Sequence, residues 1–235
     1  MIDFRNKKIL VVAAHPDDEI LGCGGTLVRA FKEGAQANIL LLGEGPTART
    51  DTPAESGRQQ AEKDRTTLLE KLRGFSRHEV GLECACFPDN RFDSVALLDI
   101  VQWIEARALP FEPDLVFTQH VGDLNNDHVL TQRAVLTVFR PLPTLRIPQI
   151  FSFEVMSSTE YGVPGDSVFQ PNCYVDIAEE LEDKQALLEC YDSEMRPFPH
   201  PRSYEAVRAQ ARLRGAQCGC AAAEAFMFLR GVAYR

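Results

Sequence analysis

Lys8-Ile9-Leu10-Val11-Val12-Ala13-Ala14-His15-Pro16-Asp17-Asp18-Glu19 is the stretch on which the reading of this chain turns. Its apolar start, Lys8 to Val12, is too short for a lone helix, whereas Ile20 to Val28 opens a pattern of helical period. A buried strand therefore ends where His15, Asp17, Asp18 and Glu19 are presented together. Pro16 biases His15 toward extended backbone and stiffens the turn. An open α/β sheet binds its ligand at the carboxyl ends of its strands.

The local chemistry points to a metal. His15 offers a neutral ring nitrogen and Asp18 a carboxylate oxygen, but a catalytic zinc site needs three protein ligands and an open position for water. Three acids in a row could instead cap the following helix, complementing its free N–H groups and dipole. The ligand reading is favoured because a second acid-and-histidine cluster, Gln119-His120-Val121-Gly122-Asp123-Leu124-Asn125-Asn126-Asp127-His128, follows another short apolar run, Asp114 to Thr118. Leu130, Ala134, Val135 and Val138 then mark a helix. Both clusters thus stand at strand-to-helix junctions on the same end of one sheet. His128 becomes the leading third ligand, with Asp127 free to cap the helix or to hold a ligand's other ring nitrogen.

Around these junctions strands and helices alternate. Strands are expected at Asn38–Gly43, Val80–Phe87, Gln149–Glu154 and, at an edge, Cys173–Ile177. Helices are expected to Glu33, over Ser56–Leu72, Val95–Ala108 and Ser203–Arg214, and as a last short segment over Ala221–Leu229. That alternation implies an α/β fold, a Rossmann-like, mostly parallel sheet flanked by helices with right-handed crossovers. No internal repeat or linker divides the chain, so residues 1–235 read as one domain. Glu44–Glu55, Ser157–Gln170 and Arg196–Arg202 read as loops that choose the substrate. Arg58, in the first turn of its helix, is a cation where the dipole disfavours one and so calls for an anionic or polar partner.

Composition narrows the class. Of 235 residues, 45% are hydrophobic, enough for a sizeable core, and no apolar run approaches the ~20 residues of a membrane span. The N-terminus lacks the pattern of a signal peptide, which suggests a cytoplasmic protein. A net charge of −9 argues against a nucleic-acid surface. Seven cysteines include the pairs Cys84/Cys86 and Cys218/Cys220; a shared structural zinc is conceivable, but reduced thiols are the simpler reading. A dinucleotide-binding site at Gly22-Cys23-Gly24-Gly25 fails, because G-x-G-x-x-G is missing and the acidic turn would repel a pyrophosphate. A serine nucleophile has no G-x-S-x-G motif to sit on.

At His15-Pro16-Asp17-Asp18-Glu19 together with Asp123–His128, the sequence resembles the LmbE/PIG-L family of zinc-dependent N-acetylglucosaminyl deacetylases, in the branch with a Gly-Asp-Leu-Asn-x-Asp-His run. The similarity extends to Phe87–Asp93, Ser157–Glu160 and Ala223-Glu224-Ala225-Phe226. The resemblance implies Zn2+, or another divalent metal such as Fe2+, on His15, Asp18 and His128, with Asp17 as general base. It implies Arg58 and Asp89 as sugar-holding residues and an N-acetyl sugar or sugar conjugate as substrate. Many relatives carry a histidine, credited with stabilising the oxyanion, where this chain has Asn125, which can donate a hydrogen bond but no positive charge. His120 or His200 is then expected to supply that role. A binding protein that has lost catalysis and an amidase of thiol–sugar conjugates are the alternatives, and a homo-oligomer is left open.

Overall fold

A computed structural model describes residues 2–45, 54–163, 165 and 167–234. Strands β1 (Lys8–Ala13), β2 (Gln36–Gly43), β3 (Val80–Phe87), β4 (Leu115–Gln119), β5 (Gln149–Phe153), β6 (Cys173–Asp176) and β7 (Ala223–Arg230) form one sheet in the order β3-β2-β1-β4-β5-β7-β6. The first five in that order run parallel; β7 is antiparallel to both β5 and β6. Helices α1 (Asp18–Lys32), α2 (Ala54–Phe75), α5 (Leu181–Leu188) and α6 (Tyr204–Cys218) cover one face, and α3 (Leu97–Phe111) and α4 (Asn126–Val138) the other. No helix among the described residues is long and apolar enough to cross a membrane.

β1 explains its own unbroken apolar run. Ile9, Val11 and Ala13 enter the core under α1, while Leu10, Val12 and Ala14 enter the core under α3 and α4. A strand covered on both faces has no polar side to alternate with. β1 also pairs with β2 on one side and with β4 on the other, with Val12 level with Thr118. Chain order reverses there, so the segments leaving β1 and β4 open into one crevice.

Ala223–Arg230 is a strand, contrary to the helix expected over Ala221–Leu229. Gly219, in the left-handed region at φ 83°, ends α6 at Cys218. The free edge of β5 then captures the next apolar residues, pairing Phe153 with Phe226 and Phe151 with Phe228. A short apolar run carries no periodicity that separates the two states. A smaller difference lies at Pro110, which falls inside the last turn of α3 and not beyond its end.

α1 is two helical pieces joined at Cys23, whose φ of −145° and ψ of 21° break the ladder. A Cβ on Gly22 would stand 2.2 Å from the Phe153 ring, so only glycine lets the helix lie this close to β5. The backbone groups freed by the kink are met by a buried ion pair. Gly25 N–H and Thr26 N–H donate to the two oxygens of Glu224 at 3.0 and 2.7 Å. Lys184 Nζ donates to Leu21 O at 2.7 Å and to Glu224 Oε1 at 2.6 Å. The pair thereby fixes the helix whose first residue is Asp18. Glu224→Ala strands a buried ammonium and two amides, and should cost about 3–5 kcal/mol of unfolding free energy in urea; a loss below about 1 kcal/mol, typical of a surface pair, would contradict this.

Candidate active site

His15 lies just past β1, Asp17 is the N-cap of α1 and Asp18 its first residue. Asp17 has φ 107° and ψ −31°, a conformation a non-glycine side chain tolerates only where its surroundings enforce it, and one that clusters at functional sites. On the opposite wall, Asn125 caps α4 by accepting from Asp127 N–H at 2.9 Å, and His128 follows in the first turn.

Three ligand atoms meet in the crevice. His15 Nδ1 is 3.3 Å from Asp18 Oδ2 and 3.3 Å from His128 Nε2, and His128 Nε2 is 3.2 Å from Asp18 Oδ2. Ligands about 2.0–2.2 Å from a tetrahedral ion lie roughly 3.4 Å from each other, so this triangle fits a zinc-sized ion. The far ring nitrogens are held by carboxylates. His15 Nε2 sits 3.0 Å from Asp127 Oδ2 and 3.2 Å from Asp89 Oδ1; His128 Nδ1 sits 3.0 Å from Asp123 Oδ2. Protons on those nitrogens leave the inward-facing ones as lone pairs, the arrangement that orients metal-binding imidazoles. The carboxylates are themselves anchored. Asp127 Oδ1 accepts from Phe92 N–H at 3.0 Å, and Asp123 accepts from Asn125 N–H, Thr159 Oγ1 and, by a short contact, Ser158 Oγ.

Asp18 is fully buried. Its Oδ2 accepts from His15 N–H and from Gln119 Nε2, each at 2.9 Å, while its Oδ1 has no hydrogen-bond partner. This concentration of carboxylates invites positive charge. Burial pushes both imidazoles down, yet hydrogen bonds to Asp127 and Asp18 carry His15 up to about 10. The charge of Asp18 and the hydrogen bond to Asp123 carry His128 up to about 9. Burial also raises Asp18, but the charge of His128 holds it well below the usual carboxylate range.

Arg202, which sequence reasoning missed, bridges the adjacent acids: Nη1 lies 2.8 Å from Asp17 Oδ2 and Nη2 lies 3.8 Å from Asp18 Oδ1. Its Nε donates to Ser157 Oγ at 2.8 Å, tying two loops to the site. Asp17 Oδ1 is buried without a hydrogen-bond partner. Burial and the neighbouring Asp18 raise Asp17 to about 7 against the pull of Arg202.

The remaining expected residues divide. Asp89 and Asp127 stand at His15, as above. Asn125 Oδ1 is spent on the helix cap and its Nδ2 donates to Asn90 Oδ1 at 3.1 Å, so the amide serves the turn. His120 is buried, but its Nε2 meets Ser167 O at 2.7 Å and therefore carries the proton, leaving Nδ1 a partnerless acceptor. His200 is exposed, with Nδ1 accepting from Arg202 N–H at 3.0 Å. Arg58 meets Glu44 at 2.7 Å. Of the loop expected over Glu44–Glu55, residues 46–53 lie outside the described residues. The cysteine pairs lie apart: β3 is one edge of the sheet, and residues 218–220 join α6 to β7 toward the other. No cysteine belongs to a candidate metal cluster among the described residues.

The chain is similar to several known proteins. The profile of the family described as PIG-L, GlcNAc-PI de-N-acetylase, matches residues 10–139, more than half of the chain. An uncharacterized deacetylase of Escherichia coli K12, YaiS, is 28% identical over 159 residues, 66% of this chain and 77% of its own. The N,N'-diacetylchitobiose deacetylase of Pyrococcus horikoshii superposes with a TM-score of 0.74 at 20% identity, over 97% of this chain and 87% of that one. GalB, the 4-carboxy-2-hydroxymuconate hydratase of Pseudomonas putida KT2440, superposes with a TM-score of 0.78 at 16% identity, over 97% and 98%. The last two likenesses establish the fold.

The raised imidazoles give a pH signature. The unfolded chain releases these protons near 6.5, whereas the folded metal-free protein keeps them until about 9 to 10. Their stabilising contribution is therefore complete below 6.5 and lost as pH rises through the folded values. The thermal midpoint of metal-stripped protein should fall across that window, and a bound divalent cation should flatten the fall by taking the protons' place. A midpoint that rises with pH there would contradict this electrostatic account.

Proposed function

The chain belongs to the PIG-L family, and on that premise we propose that it is a metal-dependent hydrolase that removes the acetyl group from an N-acetylated amino sugar or sugar conjugate. One observation carries the reading: three inward-facing ligand atoms stand beside a buried carboxylate, Asp17, that takes no part in their triangle. A fold shared with a hydratase leaves the reaction to be argued from the site.

His15 Nδ1, Asp18 Oδ2 and His128 Nε2 would hold the ion, a donor set that suits Zn2+ and also accepts Fe2+. Bound there, such an ion supplies an acidified water and polarises the amide carbonyl. Asp17 is the general base: its partnerless Oδ1 takes a proton from water and returns it to the departing amine nitrogen. In the metal-free protein burial raises this carboxyl toward neutrality, the direction that suits a group that both takes and returns a proton. Arg202 holds the other oxygen, Oδ2, and so fixes which edge of the carboxylate faces the reaction. Asp123 and Asp127 keep the two imidazoles in the ligating tautomer. Arg58 and Asp89 are assigned to sugar hydroxyls. The substrate is a small molecule; a net charge of −9 argues against a nucleic-acid partner.

The direct test is a panel of N-acetylated sugars, nucleotide sugars and aminoglycosides, incubated with metal-reconstituted protein and followed by mass spectrometry. Equal release of acetate and free amine is expected. Sugar binding without amine release would make the chain a binder, and absence of both would refute the proposal.

Three substitutions examine the assigned roles. Asp17→Asn should keep the metal and lose about 10²-fold or more in turnover, whereas His128→Ala should lose the metal itself by atomic absorption. Arg202→Gln removes the charge that holds Asp17 down, so the acidic limb of kcat/KM should move to higher pH. A limb that stays in place would detach Arg202 from the base.

A further inference from the structure

Two Cys-x-Cys pairs play no part in the chemistry above, and in each the sulfurs lie 3.3 Å apart: Cys84 with Cys86 on β3, and Cys218 with Cys220 after α6. The second flanks the left-handed Gly219 at the end of α6, whereas the first lies within a strand. Residues i and i+2 of a regular strand are about 6.6 Å apart. Along β2 and β3 the register jumps from Leu41 opposite Cys84 to Gly43 opposite Phe87, so β3 spends one extra residue. That bulge puts Cys86 in the left-handed region at φ 57°. Bulges are uncommon between parallel strands, and they gather beside active sites, where they re-aim side chains.

The two thiols have different surroundings. Cys84 is half-buried, donates to Gly43 O at 3.2 Å and accepts from Cys86 N–H at 3.3 Å. Burial and the neighbouring Cys86 push its thiol up to about 12. Cys86 is exposed. One sulfur is open to a reagent, and the other waits against it, shielded. That is the division between an attacking and a resolving cysteine.

We propose that Cys84 and Cys86 form a thiol–disulfide exchange site that takes a low-molecular-weight disulfide, such as oxidised glutathione, and closes to an intrachain disulfide. Cys86 gives its proton to solvent and the thiolate attacks one sulfur of the reagent, whose S–S bond breaks to release the first thiolate, which takes up a proton. Cys84 gives its proton to solvent and attacks Cys86 Sγ, breaking the mixed disulfide and releasing the second thiolate, which takes up a proton. Two electrons pass from the protein to the reagent, and the products are one protein disulfide and two small thiols. Closure removes the Cys84 bond to Gly43, the residue whose N–H donates to Ala14 O beside His15.

Full-length protein exposed to oxidised glutathione, quenched with an alkylating agent and mapped by peptide mass, tests this. The peptide carrying 84 and 86 should resist alkylation and weigh less by two hydrogens. Cys84→Ser should stop at a lasting glutathione adduct on Cys86, and Cys86→Ser should leave Cys84 open to alkylation under denaturing conditions. Full alkylation of both cysteines in the wild type, or a lasting adduct on wild-type Cys86, would overturn the proposal.

Discussion

A carboxylate with no exposure to water must be compensated by its surroundings, and Asp18 is that carboxylate. The fold around it supplies the compensation. The reversal of strand order beside β1 brings Gln119 and His128 from the far side of the crevice to meet an acid at the start of α1. One Asp18 oxygen is saturated by two N–H donors and two imidazoles; the other has no hydrogen-bond donor. Protons on the imidazoles can balance the charge, and so can a divalent ion, and the competition between them makes the site both a metal site and a pH-dependent one.

The supports of the site are unusually polar for a protein interior. α1 is kinked at Cys23, and the lost helical bonds are replaced by the buried Lys184–Glu224 pair, so β7 and α5 together set the position of the helix that begins at Asp18. Such a pair is costly to desolvate and costlier to break. Asp123 plays the same part on the other wall, where Ser158, Thr159 and Asn125 N–H converge on the acid that holds His128. Each first contact of the crevice therefore rests on a hydrogen-bonded second contact, which limits how far a ligand atom can drift.

Much of this was legible in the residues. The run Ile9–Val12 announced a strand buried on both faces, and two acid-and-histidine turns after such strands announced one shared crevice. What the sequence hid was distance and competition. Arg202 follows a proline-bracketed segment 185 positions from Asp17, with no local period to mark it. Glu224 sits in a strand where an acid argues against burial, and its partner Lys184 lies on a short helix, so neither residue reveals the other. Ala223–Arg230 became a strand because β5 offered an open edge, a tertiary fact that propensity does not carry. Asn125, read as an oxyanion donor, has its Oδ1 on the helix it caps and its Nδ2 on Asn90, partners that its residue type does not announce.

His15 has acids on both of its ring nitrogens, Asp18 on one side and Asp89 with Asp127 on the other. The account stands on the Nδ1 side being the one that binds. Anomalous diffraction at the zinc edge from crystals of the metal-loaded protein decides the matter directly. The expected result is one peak bonded to His15 Nδ1, His128 Nε2 and Asp18, with Asp17 outside its coordination sphere. A peak at His15 Nε2 between Asp89 and Asp127, or Asp17 among the ligands, would contradict it.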